Sequence, residues 1–229
     1  MLFAAGLGTR MGLLTAHVPK PLITVAGVAL IDHALALADA AKITRIAANL
    51  HYLGDQILMY LKNRDILFSW EREALLETGG GLRAALPLLG AGPVMTLNTD
   101  AVWTDQTALT QLLDNWDDAS MDALVLLLPI NRAVGHKGRG DFIMEKDGKI
   151  ARANGQDGLV YLGAQIIRTD GLAKISTARF SLNLLWDQMI ASGRAYGLVY
   201  QGGWCDVGCP DGIALAEAML SAAQANRDV

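Results

Sequence analysis

Short apolar runs alternate with amphipathic ones through the first half of the chain, and this rhythm constrains the fold more than any other feature. Leu2–Ala5, Arg45–Asn49, Leu67–Trp70, Val94–Asn98 and Leu124–Leu128 read as strands. Between them Leu30–Ala40, Gln56–Leu61, Leu82–Leu86 and Leu109–Trp116 read as helices. Strands separated by helices run mostly parallel, with helices on both faces of the sheet. The second half changes character. Asp147-Gly148, between Asp141–Met144 and Lys149–Ala153, is a two-residue hairpin signal. Leu159–Ile167 and Tyr196–Tyr200 are further strands, and Leu182–Ala191 and Ile213–Ala223 are helices. No Pro/Ser-rich linker or repeat divides the 229 residues. The expectation is one α/β domain over residues 1–229, its second half leaning over the sheet as a lid.

Composition removes several classes of function. Apolar residues are 52% and charged residues 18%, which excludes disorder. A net charge of −4 supplies no basic field for nucleic acid or anionic membrane. No apolar run approaches the roughly 20 residues of a membrane helix, and no basic stretch and long apolar core open the chain as in a signal peptide. Cys205 and Cys209 exclude a disulfide framework and a four-cysteine zinc site, and fit a reducing compartment. These features predict a cytoplasmic protein with neither nucleic acid nor membrane as partner.

Three segments carry chemistry. The turn Ala4-Ala5-Gly6-Leu7-Gly8-Thr9-Arg10-Met11 follows the first strand and offers backbone N–H groups to phosphate. With Pro19-Lys20-Pro21 it brings two cations, Arg10 and Lys20, suited to a polyphosphate. It is not a P-loop, which ends Gly-Lys-Ser/Thr, nor a dinucleotide turn, whose third small residue is Met11 here and whose helix Pro19 and Pro21 would break. Leu76-Glu77-Thr78-Gly79-Gly80-Gly81 is either a flexible helix entry or a flat backbone surface for a base. Asp100 and Asp206 each follow a strand, where open α/β sheets bind ligands, and two such carboxylates suit Mg²⁺.

Taken together, these motifs resemble the sugar-1-phosphate nucleotidyltransferases, or nucleotide-sugar pyrophosphorylases, over essentially the whole chain. Within that family the chain is most similar to the short N-acetylmuramate α-1-phosphate uridylyltransferases. The closest details are Leu76–Gly81, Asp100-x-x-Trp103-Thr104-Asp105, Gly138-Arg139-Gly140-Asp141-Phe142 and Phe180-Ser181-Leu182-Asn183. Thr99 and Gly12 depart from the usual pattern, and the Glu-Lys-Pro element that holds the sugar phosphate in many thymidylyltransferases is absent.

The resemblance implies a Rossmann-like three-layer α/β/α domain with a mostly parallel mixed sheet and an antiparallel sugar-binding insertion at roughly residues 130–200. It implies transfer of a nucleotidyl group from an NTP, UTP by preference, to a sugar 1-phosphate, with pyrophosphate released. Arg10, Lys20, Asp100 and Asp206 would be catalytic, and Asp100 and Asp206 would hold Mg²⁺. Ala5, Gly6, Gly8, Thr9, Glu77 and Gly80 would join Arg10 and Lys20 around the nucleotide. Trp103, Arg139, Gly140 and Gly163 would join Asp100 at the sugar phosphate. Guanylyl transfer to mannose 1-phosphate, another transferase of this kind, and a non-catalytic nucleotide-sugar sensor are the alternatives. All four catalytic candidates are present, which disfavours the sensor. The resemblance allows a monomer or a homodimer.

The loop Asn131–Gly140 carries His136, Lys137 and Arg139 among glycines. It reads either as a solvated surface loop or as a clamp supplying the positive charge that the missing Glu-Lys-Pro element would have given.

Overall fold

In the computed structural model, which describes residues 1–226, nine strands form one sheet. The strands of the chain are β1 (Leu2–Phe3), β2 (Thr24–Val25), β3 (Val28–Ala29), β4 (Ile46–Leu50), β5 (Ile66–Trp70), β6 (Val94–Asn98) and β7 (Ala101–Trp103). They continue as β8 (Ala123–Pro129), β9 (Ala133–Val134), β10 (Phe142–Met144), β11 (Ile150–Arg152), β12 (Leu159–Ile167), β13 (Ala195–Val199) and β14 (Trp204–Asp206). The helices are α1 (Leu30–Ala40), α2 (Gly54–Leu61), α3 (Glu77–Leu89), α4 (Ala108–Asn115), α5 (Asn183–Ala191) and α6 (Asp211–Ala225).

The sheet runs β5-β4-β1-β6-β12-β8-β13, with the β10–β11 hairpin beside the first part of β12. β5, β4, β1 and β6 are mutually parallel. β12 is antiparallel to β6 and to β8, and β13 returns parallel to β8. The alternation of side chains sends Leu2, Ala48, Leu50 and Leu126 to one face, against α1, α2 and α4. Ala47, Val125 and Leu127 go to the other, against α3 and α5. β4 is buried along its whole length, as a central strand covered on both faces requires.

The second half is not a lid. β8, β12 and β13 are strands of the main sheet, and the near-continuous burial of β8 explains why. A strand apolar on both faces is satisfied only between two helical layers. The hairpin signal is met, but the connection is longer than two residues. Glu145 pairs with Lys149, the Gly148 N–H donates to the Glu145 carbonyl, and Gly148 takes φ +86°, the type I turn plus left-handed glycine of a three-residue hairpin.

A second sheet, β7-β14-β9, stands at the end of the first where β6 finishes. Its buried Val102, Cys205 and Val207 pack against Ala216 of α6. β14 is antiparallel to β7, with Asp206 opposite Ala101, and the Val207 N–H donates to the Asp100 carbonyl at 2.9 Å. This pairing brings two strand-end carboxylates side by side from distant parts of the chain.

The three glycines lie inside α3 and not before it. Each makes room for a neighbour. A Cβ on Gly79 would meet the Phe180 ring at 2.4 Å, one on Gly80 the Ala178 carbonyl oxygen at 2.4 Å, and one on Gly81 the Glu71 carboxylate at 2.6 Å. Among the described residues no helix is long and apolar enough to cross a membrane.

Candidate active site

The turn after β1 is the first wall of the site. Gly8 takes φ +64° and caps a 3₁₀ helix over Thr9–Thr15. A Cβ on Gly8 would come 2.9 Å from Thr15 Cγ2 and 3.1 Å from Lys20 Cβ, so glycine lets the turn fold down onto the lysine stem. Thr15 Oγ1 donates to the Gly8 carbonyl at 2.9 Å and fixes the turn. Thr9 and Arg10 remain exposed above it.

A buried polar chain ties this wall to the next. The Ala4 N–H donates to Asn49 Oδ1 at 2.8 Å, and Asn49 Nδ2 donates to Glu71 Oε1 at 2.7 Å. Glu71 Oε2 accepts the Leu76 N–H at 2.7 Å. Leu76 caps α3, so the Glu71 carboxylate faces a helix N-terminus, where negative charge is favoured. A carboxylate accepts both bonds; an amide there would turn its own N–H₂ on one of the donors. The relay holds the turn and the start of α3 at a set separation. Gly81→Ala would drive a methyl group into it, and is expected to cost about 1–3 kcal/mol of stability and to raise KM for the nucleotide. Urea denaturation together with nucleotide KM checks both effects.

Between these walls lies a cavity of about 200 Å³ lined by Ala4, Ala5, Gly6, Lys20, Glu77, Thr78, Asn98 and Asp100. Glu77 enters α3 with φ +63°, and its carboxylate accepts from Arg179 Nη2 at 2.8 Å. Gly80 is not part of this lining. It lies buried in the helix beneath Ala178, and its N–H donates to the Phe180 carbonyl at 3.0 Å. The glycine run therefore serves packing of the 178–180 segment, and Glu77 and Thr78 present α3 to the cavity.

A second cavity, of about 260 Å³, meets the first at Asn98 and Asp100. Its walls include Arg10, His136, Asp141, Tyr161, Gly163 and Asp206. Gly163 takes φ +80° within an irregularity of β12, and a Cβ there would lie 2.8 Å from Asn98 Cβ. Glycine thus admits Asn98 as well as opening the cavity wall. Asp141 accepts the Tyr161 N–H at 2.8 Å.

At the junction Lys20 Nζ donates to Asp100 Oδ2 at 2.8 Å, with the lysine side chain 11% exposed. Burial, and then the Asp100 charge, push the Asp206 carboxyl above its ordinary value; Lys20, Arg10 and His136 pull it back only in part. A Cβ on Gly208 would come 2.9 Å from Arg10 Nη1 and from both Asp206 oxygens, so Arg10 and Asp206 flank that glycine. The site is a pair of carboxylates, one desolvated, rimmed by cations. Among the described residues no three His, Cys, Asp or Glu side chains converge as a metal cage. Burial and the Asp206 charge push the Cys205 thiol up to about 12, so it is no nucleophile.

Three expected sugar contacts lie elsewhere. Trp103 is buried in the core, edge-on to Tyr200 and Trp204, because β7 points it inward. Trp103→Phe is expected to change stability by about 1.5 kcal/mol at most and leave both substrate KM values unchanged, as thermal denaturation and steady-state kinetics would show. Arg139 is exposed and ion-paired with Asp157 at 2.8 Å, facing an open cavity over β10 on the far side of its loop. Gly140, with φ +95°, is pressed against the Gly158 backbone on its Cβ side and is not among the residues lining the second cavity. Sequence reasoning missed Asn98 and Asp141 as walls of the second cavity, and weighed His136 only as one of three basic residues in a loop read as surface or clamp. Asn98 had a signal, lying two residues before Asp100 at a strand end.

Two larger cavities offer less chemistry. One of about 320 Å³ lies at the opposite end of the sheet and is apolar but for Arg45; the other is the open one beside Arg139.

Comparison with known proteins agrees with this geometry. Residues 1–136 match the model of the MobA-like NTP transferase domain. The chain is 38% identical to the N-acetylmuramate alpha-1-phosphate uridylyltransferase of Caulobacter vibrioides, over 97% of both chains. It is 34% identical to the enzyme of that name from Neisseria meningitidis, over 97% of this chain and 98% of the relative. The crystal structure of HddC from Yersinia pseudotuberculosis complexed with GMP-PN shares the fold, with a TM-score of 0.77 and 19% identity over 95% of this chain and 96% of that one. The paired cavities thus sit in a known setting: the chain belongs to the MobA-like NTP transferase family and is a nucleotidyltransferase.

Proposed function

We propose that the chain transfers a uridylyl group from UTP to N-acetylmuramate 1-phosphate, in the cytoplasm, releasing pyrophosphate. The observation that carries this is the meeting of two cavities at Asp100, one walled by the glycine turn and α3, the other by Arg10, Asp206 and Gly163. That plan holds two substrates with their phosphates at one junction. The near-complete coverage by two relatives named for this reaction supports the choice of base and sugar.

The nucleotide lies in the first cavity. Ala5 and Gly6 present backbone to the base edge, with Glu77 opposite. Arg10, from the wall of the second cavity, would meet the outer phosphates at the junction, with Gly8 and Thr9 in the turn before it, and Lys20 would meet the α-phosphate. The sugar phosphate enters from the Gly163 side, and its ionised oxygen attacks the α-phosphorus in line. The bond from that phosphorus to the bridging oxygen breaks, and pyrophosphate leaves with the electron pair. A phosphate monoester has a second pKa of about 6, so no base has to remove a proton. Positioning and charge carry the rate, as in other phosphoryl transfers.

Asp100 and Asp206 fit a Mg²⁺ ion. They are neighbouring oxygen donors whose repulsion a cation would relieve, and Mg²⁺ needs only one or two carboxylates besides phosphate and water. Bound there, the ion would draw charge from the phosphate oxygens.

The test is pyrophosphate release with UTP, GTP, CTP and dTTP against N-acetylmuramate, mannose, glucose and N-acetylglucosamine 1-phosphates, with and without Mg²⁺. Turnover concentrated at UTP and N-acetylmuramate 1-phosphate and lost with EDTA is expected. A maximum at another pair would replace the substrates, and turnover unaffected by EDTA would remove the metal.

A further inference from the structure

The second cavity contains an imidazole whose loop the sequence left open between solvated surface and clamp. The loop between β9 and β10 carries three basic residues, and the structure sorts them. Arg139 turns outward to Asp157, Lys137 is exposed, and His136 lines the cavity with Arg10 and Asp206. Its placement is built in. β9 pairs with β14, setting Val134 opposite Cys205. Gly135 then takes φ +76°, and a Cβ on it would strike the Asp206 carbonyl at 2.5 Å. The next residue is therefore delivered beside Asp206. Gly138 folds back over the ring, where a Cβ would come 2.8 Å from Nε2. His136 Nε2 is buried and has no hydrogen-bond partner among the described residues.

A buried donor or acceptor without a partner is costly, and sites that tolerate one commonly match it with a ligand. Among the described residues the carboxylates and His136 there do not converge as a metal cage, and Arg10 lines the same cavity, which favours an anion beside the imidazole. Arg10 and Lys20 serve the triphosphate in the reaction proposed above. Arg10 also lines this cavity, and His136 stands beside it as a further donor for the incoming dianion.

We propose that His136 anchors the phosphate of the sugar 1-phosphate, donating a ring N–H to one of its oxygens. The inference rests on the reading of a sugar-1-phosphate transferase but not on which sugar is used. An imidazole hydrogen bond to a doubly charged oxyanion is among the stronger polar contacts in proteins.

His136→Asn and His136→Gln test it, each checked first for an unchanged melting profile. Steady-state pyrophosphate release should show KM for N-acetylmuramate 1-phosphate raised about tenfold or more, with KM for UTP unchanged. A merely structural role would move both together. Unchanged sugar-phosphate KM, or a parallel rise in both, overturns the proposal. Calorimetric titration needs no turnover. With Mg²⁺ and a non-hydrolysable UTP analogue present, wild type should bind N-acetylmuramate 1-phosphate and glucose 1-phosphate more tightly than the variants, and free N-acetylmuramate should show no such difference. Wild type that binds these phosphates through His136 yet turns none over would remove the catalytic reading and leave the anchor standing. Wild type that binds no sugar 1-phosphate removes the anchor.

Discussion

Asp206→Asn is expected to lower kcat by about 10²–10³-fold and, at the same time, to raise the melting temperature. Both effects have one cause. Asp206 is half-buried and faces Asp100, so its ionised form is disfavoured in the folded chain. An acid whose folded pKa is raised above its unfolded value of 3.8 binds its proton more tightly when folded. Stability is therefore lost as pH rises from the unfolded value through the folded one, and at neutral pH the charge is a standing cost. Asparagine keeps the shape and removes the charge. The fold gains, and the site loses a carboxylate that is useful only when cations and substrate phosphates surround it. Pyrophosphate release at saturating substrates and thermal denaturation at pH 7 check the pair of effects. Near-normal turnover would dismiss the catalytic role, and a lowered melting temperature would dismiss the electrostatic account.

Lys20→Ala should have a rate effect of similar size, about 10²–10³-fold, by a different route. Lys20 is the cation at the junction of the two cavities, bonded to Asp100 and largely buried. Without it Asp100 and Asp206 repel with less compensation, and the incoming phosphates meet more negative charge. Lys20→Arg should not restore the rate. The stem is crowded by Gly8, and a planar guanidinium does not replace a compact ammonium. Both variants should show the loss in kcat with saturating Mg²⁺ and UTP, and the asparagine and alanine effects should not add, because the groups share one cluster. Arginine restoring full turnover would mean that only net charge matters there.

Local signals carried much of this far in the sequence. α1 begins and ends at Leu30 and Ala40, as its apolar spacing predicts, and β6 and β12 keep their predicted bounds. The glycine turn and Asp100 follow strands that the apolar runs reveal, whereas Lys20 sits in a 3₁₀ turn and Asp206 ends β14, a strand too short to be read, and all meet around the two cavities. What escaped depends on partners far along the chain. Three glycines inside a helix look like a helix entry until Phe180, Ala178 and Glu71 are seen against them. Trp103 and Arg139 are plausible sugar contacts by residue type, yet the direction of β7 buries one and the side of a loop turns the other away. His136 and Arg139 differ by three positions in one loop, and only the β9–β14 pairing decides which of them enters the cavity. The short β2–β3 hairpin, turning through Ala26 and Gly27 with positive φ, carried too little periodicity to be read.

The β7–β14 pairing also bears on how the molecule comes into being. Asp100 is made well before Asp206, and only the docking of β14 against Ala101 sets them together. A chain still emerging from the ribosome could form the glycine turn but could not set Asp206 beside Asp100. The two carboxylates thus become neighbours only through a long-range strand pairing, which makes the junction one of the most non-local features of the fold.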